Sequence, residues 1–458
     1  MIKMSHKPES GQQLIAHAIH FIRDTRWVQL PQAVQHQTRR CLLDAMGALI
    51  AGAVTPAARL VADMACSQFR GDDATILFHG SRVSAAGAAL ANGFSGNALD
   101  VDDGYRLVKG HPGACVLPVV LAAAEMASSC SGKDLLTALL IGYEIGIRCG
   151  RIRHATYTTY HSSGSWGAIA GAAAAGRLLN LDAEALWHAM GAAEYHAPIA
   201  PMMKGIETPS MGKDSIGWGA MVAMLSVLMA RNGFTGITPL FADTPDPDWI
   251  TGLGRDWQIN QLYFKPYTAC RWAQPAVDGA LYLQREFNLK TEDIRSIRIR
   301  TFAVACALHT RPPANTEEAQ YNIAFPVAAA LVDGEVGPRQ VLPPRIYDPI
   351  ILNLLARVST EIDDEIEAAF PDKTFAEVIV ETEDGRRLSS GRVQPRWEPP
   401  HTLPTDSELE NKFRWLVSPV LGDTAAGKLT ALVWHLEDLE QISDLIARCC
   451  PQHAKVPG

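Results

Sequence analysis

Between Asn92 and Glu125 the chain reads NGFSGNALDVDDGYRLVKGHPGACVLPVVLAAAE. Asp100, Asp102, Asp103, Lys109 and His111 stand together there, with apolar, alanine-rich sequence on both sides. A helix that only packs needs no such set. Carboxylates, an imidazole and an ammonium in one window can move a proton and hold a small charged ligand. Gly104, Gly110, Pro112 and Gly113 mark the window as a loop. A polar loop between buried helices is where a small-ligand site is expected.

Four further stretches carry polar residues against the local pattern. In Tyr160-His161-Ser162-Ser163-Gly164, His161 precedes a helix N-terminus, whose partial positive charge lowers a histidine pKa and favours anions. The plainer alternative makes Ser162 or Ser163 an N-cap and His161 a surface residue. Lys213, in PSMGKD, stands before an apolar helix, where the dipole opposes it unless an anion lies opposite. A solvated lysine is the alternative. Lys265, Tyr267, Cys270 and Arg271, in KPYTACRW, suit a carboxylate clamp, because arginine can grip a carboxylate with two parallel bonds. The alternative is an interdomain salt bridge with Cys270 as filler. Tyr321, in AQYN, is a phenol donor or a packing residue.

Other signatures fail on their spacing. DVDDGY opens like a calcium loop, but its glycine falls one place early and His111 stands where the bidentate glutamate belongs. No GxGxxG follows a strand, and no GxxxxGK[ST], HExxH or GxSxG occurs.

The elements that must position these groups follow from periodicity. Apolar spacing predicts helices over 12–25, 31–52, 55–70, 84–97, 118–128, 132–150, 164–179, 182–197 and 217–232. The 164–179 stretch is rich in Gly and Ala, which permits close backbone approach and a central place. Almost nothing before residue 260 alternates with period two, so the first half reads as all-α. IRSIRIRTF and FAEVIVET alternate as strands, and the second runs through a turn at 383–386 into a returning strand over 387–393. Residues 322–332 and 350–358 read as helices. Roughly 263–405 is thus a smaller α+β domain, with Pro395, Pro399, Pro400 and Pro404 marking the way out. Residues 406–450 return to amphipathic helix that packs back on the first domain. Residues 1 to about 10 read as disordered.

The chain has 458 residues, 47% hydrophobic and 20% charged, enough apolar surface for a large core. A formal net charge of -8 without a basic stripe argues against nucleic acid as a partner. Nine scattered cysteines without a CxxC pair fit a reducing compartment, as buried thiols. MIKMSHKPESGQQ lacks the apolar run of a signal peptide, and the apolar segments break before the ~20 residues of a membrane span. A cytoplasmic protein with no membrane partner is expected.

The 92–125 stretch resembles the signature loop of the MmgE/PrpD family, NG…ALD.DD…HP.A.V.PAALA.AE. SMGKDSIGWGAM with ARNGFTG, then KPYTACRWAQPAVDGA, AQYNIAFPVAAAL and ELENKF are similar to its later blocks, in family order over about residues 12–450. That family includes 2-methylcitrate dehydratase, cis-aconitate decarboxylase and iminodisuccinate epimerase. The resemblance implies a mainly α fold. A large all-helical domain is built from both chain ends (10–262 plus 406–458), with an α+β lid domain (263–405) inserted. It also implies a homodimer, no metal and no organic cofactor. Position by position, the family's site residues fall on Asp100, His111, His161, Lys213, Lys265 and Tyr321. Cys270 stands where the decarboxylase has a histidine, and Gln274 and Asn97 where many members have one. These departures argue against cis-aconitate decarboxylation and leave the substrate open.

The family's reactions look like ones that pass through a carbanion or enolate beside a carboxylate. Such chemistry needs a base, an acid and fixed positive charge. His111 or His161 is the candidate base, and the other histidine or Tyr321 the acid. Lys213, Lys265 and Arg271, with Cys270 beside them, would hold carboxylates. Asp100 would orient His111 and set its tautomer. The expected activity is that of a hydro-lyase dehydrating a small hydroxy di- or tricarboxylate, similar to 2-methylcitrate dehydratase. An epimerase working by proton abstraction and an inactive polycarboxylate-binding homologue are the alternatives.

Overall fold

Local chemistry sets where the helices of the first half begin. In the computed structural model, which describes residues 10–400 and 402–450, Ser10 and Gln13 form a capping box for α1 (Gly11–Asp24). Residues 1–9, read above as disordered, lie outside the described residues. Next comes α2 (Gln32–Gly52), buried without interruption from Arg40 to Gly52. Thr55 caps α3 (Pro56–Gln68), with proline at the first helical position, where no N–H is needed.

Two short strands then interrupt the half read as all-α. β1 (Ala74–Thr75) pairs antiparallel with β2 (Arg82–Val83). Two residues per strand are too few for an alternation to register in the sequence. α4 (Ala85–Asn97) follows, capped by Ser84. α5 (Pro112–Met126) begins six residues earlier than the apolar spacing indicates. Pro112 starts that helix rather than extending the loop. α6 (Gly132–Thr156) outruns its expected end at 150, and Arg153 beyond that end is buried rather than solvated, as is Arg148 before it. Arg148 pairs with Glu144 and donates to the carbonyls of Trp249 and Asp256 at 2.6 and 2.7 Å.

α7 (Gly164–Leu178) is central, with every residue but Arg177 buried. A Cβ on Gly171 would lie 2.8 Å from Ala223 and 2.9 Å from Val119, so the small-residue stretch is what lets its neighbours approach. α8 (Ala183–His196), the short helix Met202–Glu207 and the helix Ile216–Arg231 complete this half.

The second half carries a sheet of order β4-β3-β5-β6. β3 (Ile294–Thr301) pairs antiparallel with β5 (Ala376–Thr382), which pairs antiparallel with β6 (Arg387–Val393). β4 (Val358–Ile362) runs parallel to β3 and was not expected. The segment read as helix over 350–358 ends at Leu355, and the β-branched run begins at Val358. The helix Gln274–Phe287 packs on β5 and β6, where a Cβ on Gly279 would meet Val378 and Ser390 at 3.0 Å.

The helix Asp406–Leu421 returns to α2, with Phe413 3.1 Å from where a Gly47 Cβ would sit. Its Lys412 forms a buried ion pair with Asp44 and donates to the Val101 carbonyl at 2.7 Å. The fold is mainly α with a small α+β portion, as expected. All nine cysteines are free and six are buried, as small apolar groups. Among the described residues no single helix is long and apolar enough to cross a membrane. α2 and α3 reach that composition only as a pair bent by 84°.

Candidate active site

The loop between α4 and α5 is pinned by its backbone. Gly104 and Tyr263 exchange N–H···O bonds of 3.0 and 2.9 Å, and the Tyr105 N–H donates to the Gly110 carbonyl at 2.9 Å. A Cβ on Gly104 would fall 2.2 Å from the Tyr263 ring, so this approach requires glycine. Among the described residues eight non-glycines have positive φ, and Asp100 (53°), Lys109 (47°), Lys213 (40°) and Ser215 (54°) are four of them. Such backbone persists only where its surroundings enforce it, so its concentration here marks a constrained site.

Asp100 is the hub. Its Oδ1 lies 3.1 Å from Lys265 Nζ, 3.7 Å from His111 Nε2 and 4.0 Å from Lys213 Nζ. Burial pushes the Asp100 carboxyl up, but Lys265, Lys213 and His111 outweigh it and hold it below the usual carboxylate range. Burial pulls Lys265 down, but Asp100 and Tyr263 outweigh it and leave the ammonium above its usual value. Both groups therefore stay charged at neutral pH.

His111 stands immediately ahead of α5. Its Nδ1 lies 2.9 Å from the Asp103 carbonyl and 3.2 Å from Asp102 Oδ2. A proton on Nδ1, donated there, leaves Nε2 as the open nitrogen of the neutral ring. Nε2 faces Asp100 Oδ1 at 3.7 Å and Asp214 Oδ2 at 3.8 Å. The expectation that Asp100 sets the tautomer is thereby corrected. Asp102 and the Asp103 carbonyl set it from the opposite side, and Asp100 lies beyond hydrogen-bonding distance. Asn97 holds Asp102 by donating to its two oxygens at 3.1 and 3.2 Å. The Asp103 side chain turns away, accepting from Tyr143 at 2.6 Å and the Gly113 N–H at 2.9 Å. Burial, then Asp44, raises its carboxyl to about 8.

These groups open onto a cleft of about 750 Å³, counted with its mouth. Asp100, His111, Lys265, Cys270, Arg271 and Tyr321 all line it. Met202, Ile206, Trp272 and Phe370 give it an apolar wall, and Arg106 and Lys109 add charge. Tyr321 donates to Asp214 Oδ2 at 3.4 Å, and burial, then Asp214, pushes its phenol well above the usual value. It is a neutral donor. Burial, then Asp100, raises the Cys270 thiol to about 12, so it is no thiolate at neutral pH. Arg271 is already engaged: Nη2 donates to Glu398 Oε2 at 2.7 Å and Nη1 to Gln274 Oε1 at 2.8 Å.

Two sequence candidates do not line the cleft. Lys213 donates to Gln320 Oε1, and its Nζ lies 5.5 Å from the Tyr321 ring centroid. His161 stacks on His154, with ring centroids 4.6 Å apart and planes 4° from parallel. Its Nδ1 contacts Ser165 Oγ at 2.7 Å, and its Nε2 is buried without a hydrogen-bond partner. Burial, then Arg153, lowers its pKa, in place of the expected helix terminus. Its neighbour Tyr160 does line the cleft. Ser163 makes no side-chain cap, as the plainer reading required. Its Oγ accepts from the His111 N–H and contacts Asp214 Oδ1, both at 3.2 Å.

Sequence reasoning gave no role to Asp214, Tyr160, Tyr263 or Glu398. Asp214 was signalled by its place beside Lys213. Glu398 sits in the proline-rich exit from the sheet, where nothing in composition sets it apart. Asp100, His111 and Asp214 also have ligand atoms within 4.8 Å of one another, the one metal-type grouping among the described residues. Two ammonium groups beside Asp100 already supply cationic charge there, which makes that carboxylate a poor ligand for an added cation.

A helical body carrying a carboxylate–imidazole–ammonium cleft against a four-stranded sheet matches a known class. Residues 17–248 match the MmgE/PrpD N-terminal domain and residues 267–438 the MmgE/PrpD C-terminal domain. The chain belongs to the MmgE/PrpD family. It is 24% identical to the cis-aconitate decarboxylase-like protein oryM of Aspergillus oryzae, covering 94% of this chain and 96% of that one. It is 22% identical to cis-aconitate decarboxylase of Aspergillus terreus (97% and 98% covered) and 26% identical to cis-aconitate decarboxylase of Homo sapiens (91% and 90%).

Proposed function

We propose that this chain is a lyase that dehydrates a small hydroxy polycarboxylate through an enolate-like intermediate, using its own side chains for proton transfer. The carrying observation is His111 Nε2, open toward the cleft between Asp100 and Asp214 at 3.7 and 3.8 Å. Neutral His111 takes a proton from the carbon beside a substrate carboxylate. The imidazolium so formed is stabilised by Asp100, Asp214 and Asp102. Lys265 and Arg271 line the cleft as cations for carboxylates and for the charge that grows on the enolate. The Tyr321 phenol supplies a proton to the departing hydroxyl, which leaves as water while the carbon–carbon double bond forms. Removing one such polar contact typically raises the barrier by ~2.7–4 kcal/mol.

Decarboxylation is the second reading, favoured by what the relatives are named for. Cys270, Gln274 and Asn97 favour the first. Proton NMR in deuterated water separates them, with citrate, 2-methylcitrate, cis-aconitate, malate-type acids and iminodisuccinate as the panel. A new vinyl signal with every carbon retained supports the dehydratase, and loss of one carbon as carbon dioxide the decarboxylase. Deuterium entering an alpha position without a new product would make it an epimerase. Silence across the panel from folded protein would remove the lyase reading and leave a binding protein.

We also propose a homodimer. The helix Ile216–Arg231 is apolar on all faces, and Trp218 and Leu225 on its outer face are 45% and 38% exposed. A second copy of the chain would cover them. Light scattering that reports a monomer at micromolar concentration would remove this proposal.

A further inference from the structure

Five tyrosines are buried among the described residues, and four of them give their hydroxyl proton to the protein. Tyr105 donates to Gln258, Tyr143 to Asp103 Oδ2 at 2.6 Å, Tyr267 to Asp278 Oδ1 at 2.6 Å and Tyr321 to Asp214 Oδ2 at 3.4 Å. Tyr263 differs. It is 6% exposed and lines the cleft, and its hydroxyl has no hydrogen-bond partner among the described residues. A buried phenol normally finds an acceptor, because an unmet donor costs free energy.

The ring cannot swing away to find one. Tyr263 and Gly104 exchange backbone bonds, the ring occupies the space beside Gly104 that a Cβ would need, and Arg271 Cζ sits 4.4 Å from the ring centroid. The two nearest cations are already bonded within the protein. Lys265 Nζ meets Asp100 Oδ1 and the Asp100 carbonyl at 3.1 and 3.0 Å, and Arg271 holds Glu398 and Gln274. They supply positive potential, and the Tyr263 hydroxyl is the donor left over. Burial pushes its phenol up, and Lys265 and Arg271 offset this only in part, so it keeps its proton at neutral pH.

We infer that Tyr263 is a further substrate-binding residue, whose hydroxyl donates to a substrate carboxylate oxygen lying in the field of Lys265 and Arg271. The inference rests on the reading of the cleft as a polycarboxylate site.

Calorimetry with succinate and tricarballylate, saturated acids with no group to eliminate, tests this on the whole protein. Tyr263→Phe is expected to weaken binding of the better-bound acid about tenfold, as loss of a hydrogen bond to a charged group would. Its Tm should not change, since no protein partner is lost. Tyr267→Phe should do the opposite, lowering Tm through loss of the Asp278 bond and leaving affinity alone. A second measurement needs no variant. In NMR spectra of wild-type protein isotopically labelled at tyrosine Cζ, saturating acid should shift a tyrosine signal, and a spectrum in which none moves would overturn the inference. So would unchanged affinity in Tyr263→Phe, an equal loss in Tyr267→Phe, a fall in Tm like that of Tyr267→Phe, or no binding of either acid to the wild type. The expected loss without turnover of any acid removes the lyase reading alone. Turnover with unchanged affinity in Tyr263→Phe removes this inference alone.

Discussion

His111 presents Nε2 to the cleft between two carboxylates at 3.7 and 3.8 Å, whereas His161 lies flat against His154 with Arg153 acting on it. Carboxylates around an imidazole favour its charged form, while burial and a cation oppose it. Burial and Arg153 hold the second ring neutral. His154, its stacking partner, is driven down to about 4 by burial and then by His161, so the pair as a whole resists protonation. One residue type thus meets two environments, set by neighbours rather than by identity.

The comparison breaks most sharply at His111. His111→Ala should lower kcat by about 10²–10⁴-fold, the usual worth of a positioned acid–base group, with circular dichroism unchanged. Retained turnover would take the base away from this residue. Asp102→Asn should cost less, roughly 10–10²-fold in kcat. The Nδ1 proton keeps the Asp103 carbonyl but loses its anionic partner. An unchanged kcat in Asp102→Asn would remove Asp102 from the support of His111. His161→Ala should have the smallest effect, below about tenfold in kcat, since the ring does not line the cleft. A loss as large as that of His111→Ala would show that His161 reaches the ligand after a rearrangement.

Much of this site was legible in the sequence, and its gaps have physical causes. Three aspartates in one loop signalled chemistry, but their division of labour depends on which way each side chain turns. Asp100 faces two ammonium groups, Asp102 the inner edge of His111, and Asp103 the phenol of Tyr143. No spacing rule separates neighbours in a loop with left-handed backbone. Lys265 and Tyr321 stood out because polar residues interrupt apolar blocks there. Glu398 did not, since an acidic residue among prolines reads as ordinary surface. The long helices were clear from their apolar stripes. β4 was hidden because it follows the helix Pro349–Leu355 after two residues. The last turns of α6 were hidden because a buried arginine with an internal partner, Arg153 donating to the Glu194 carbonyl, looks in sequence like a solvated one.

The tie from Lys412 to the Val101 carbonyl joins positions 311 residues apart. Between them in the chain lie all four strands of the larger sheet. During synthesis the helical body can begin to pack as it leaves the ribosome. The ammonium that fastens the loop of Asp100 and His111 emerges only after that sheet. The cleft is therefore among the last parts of the molecule to be completed. A chain stalled before residue 412 carries the loop's whole sequence without its fastening.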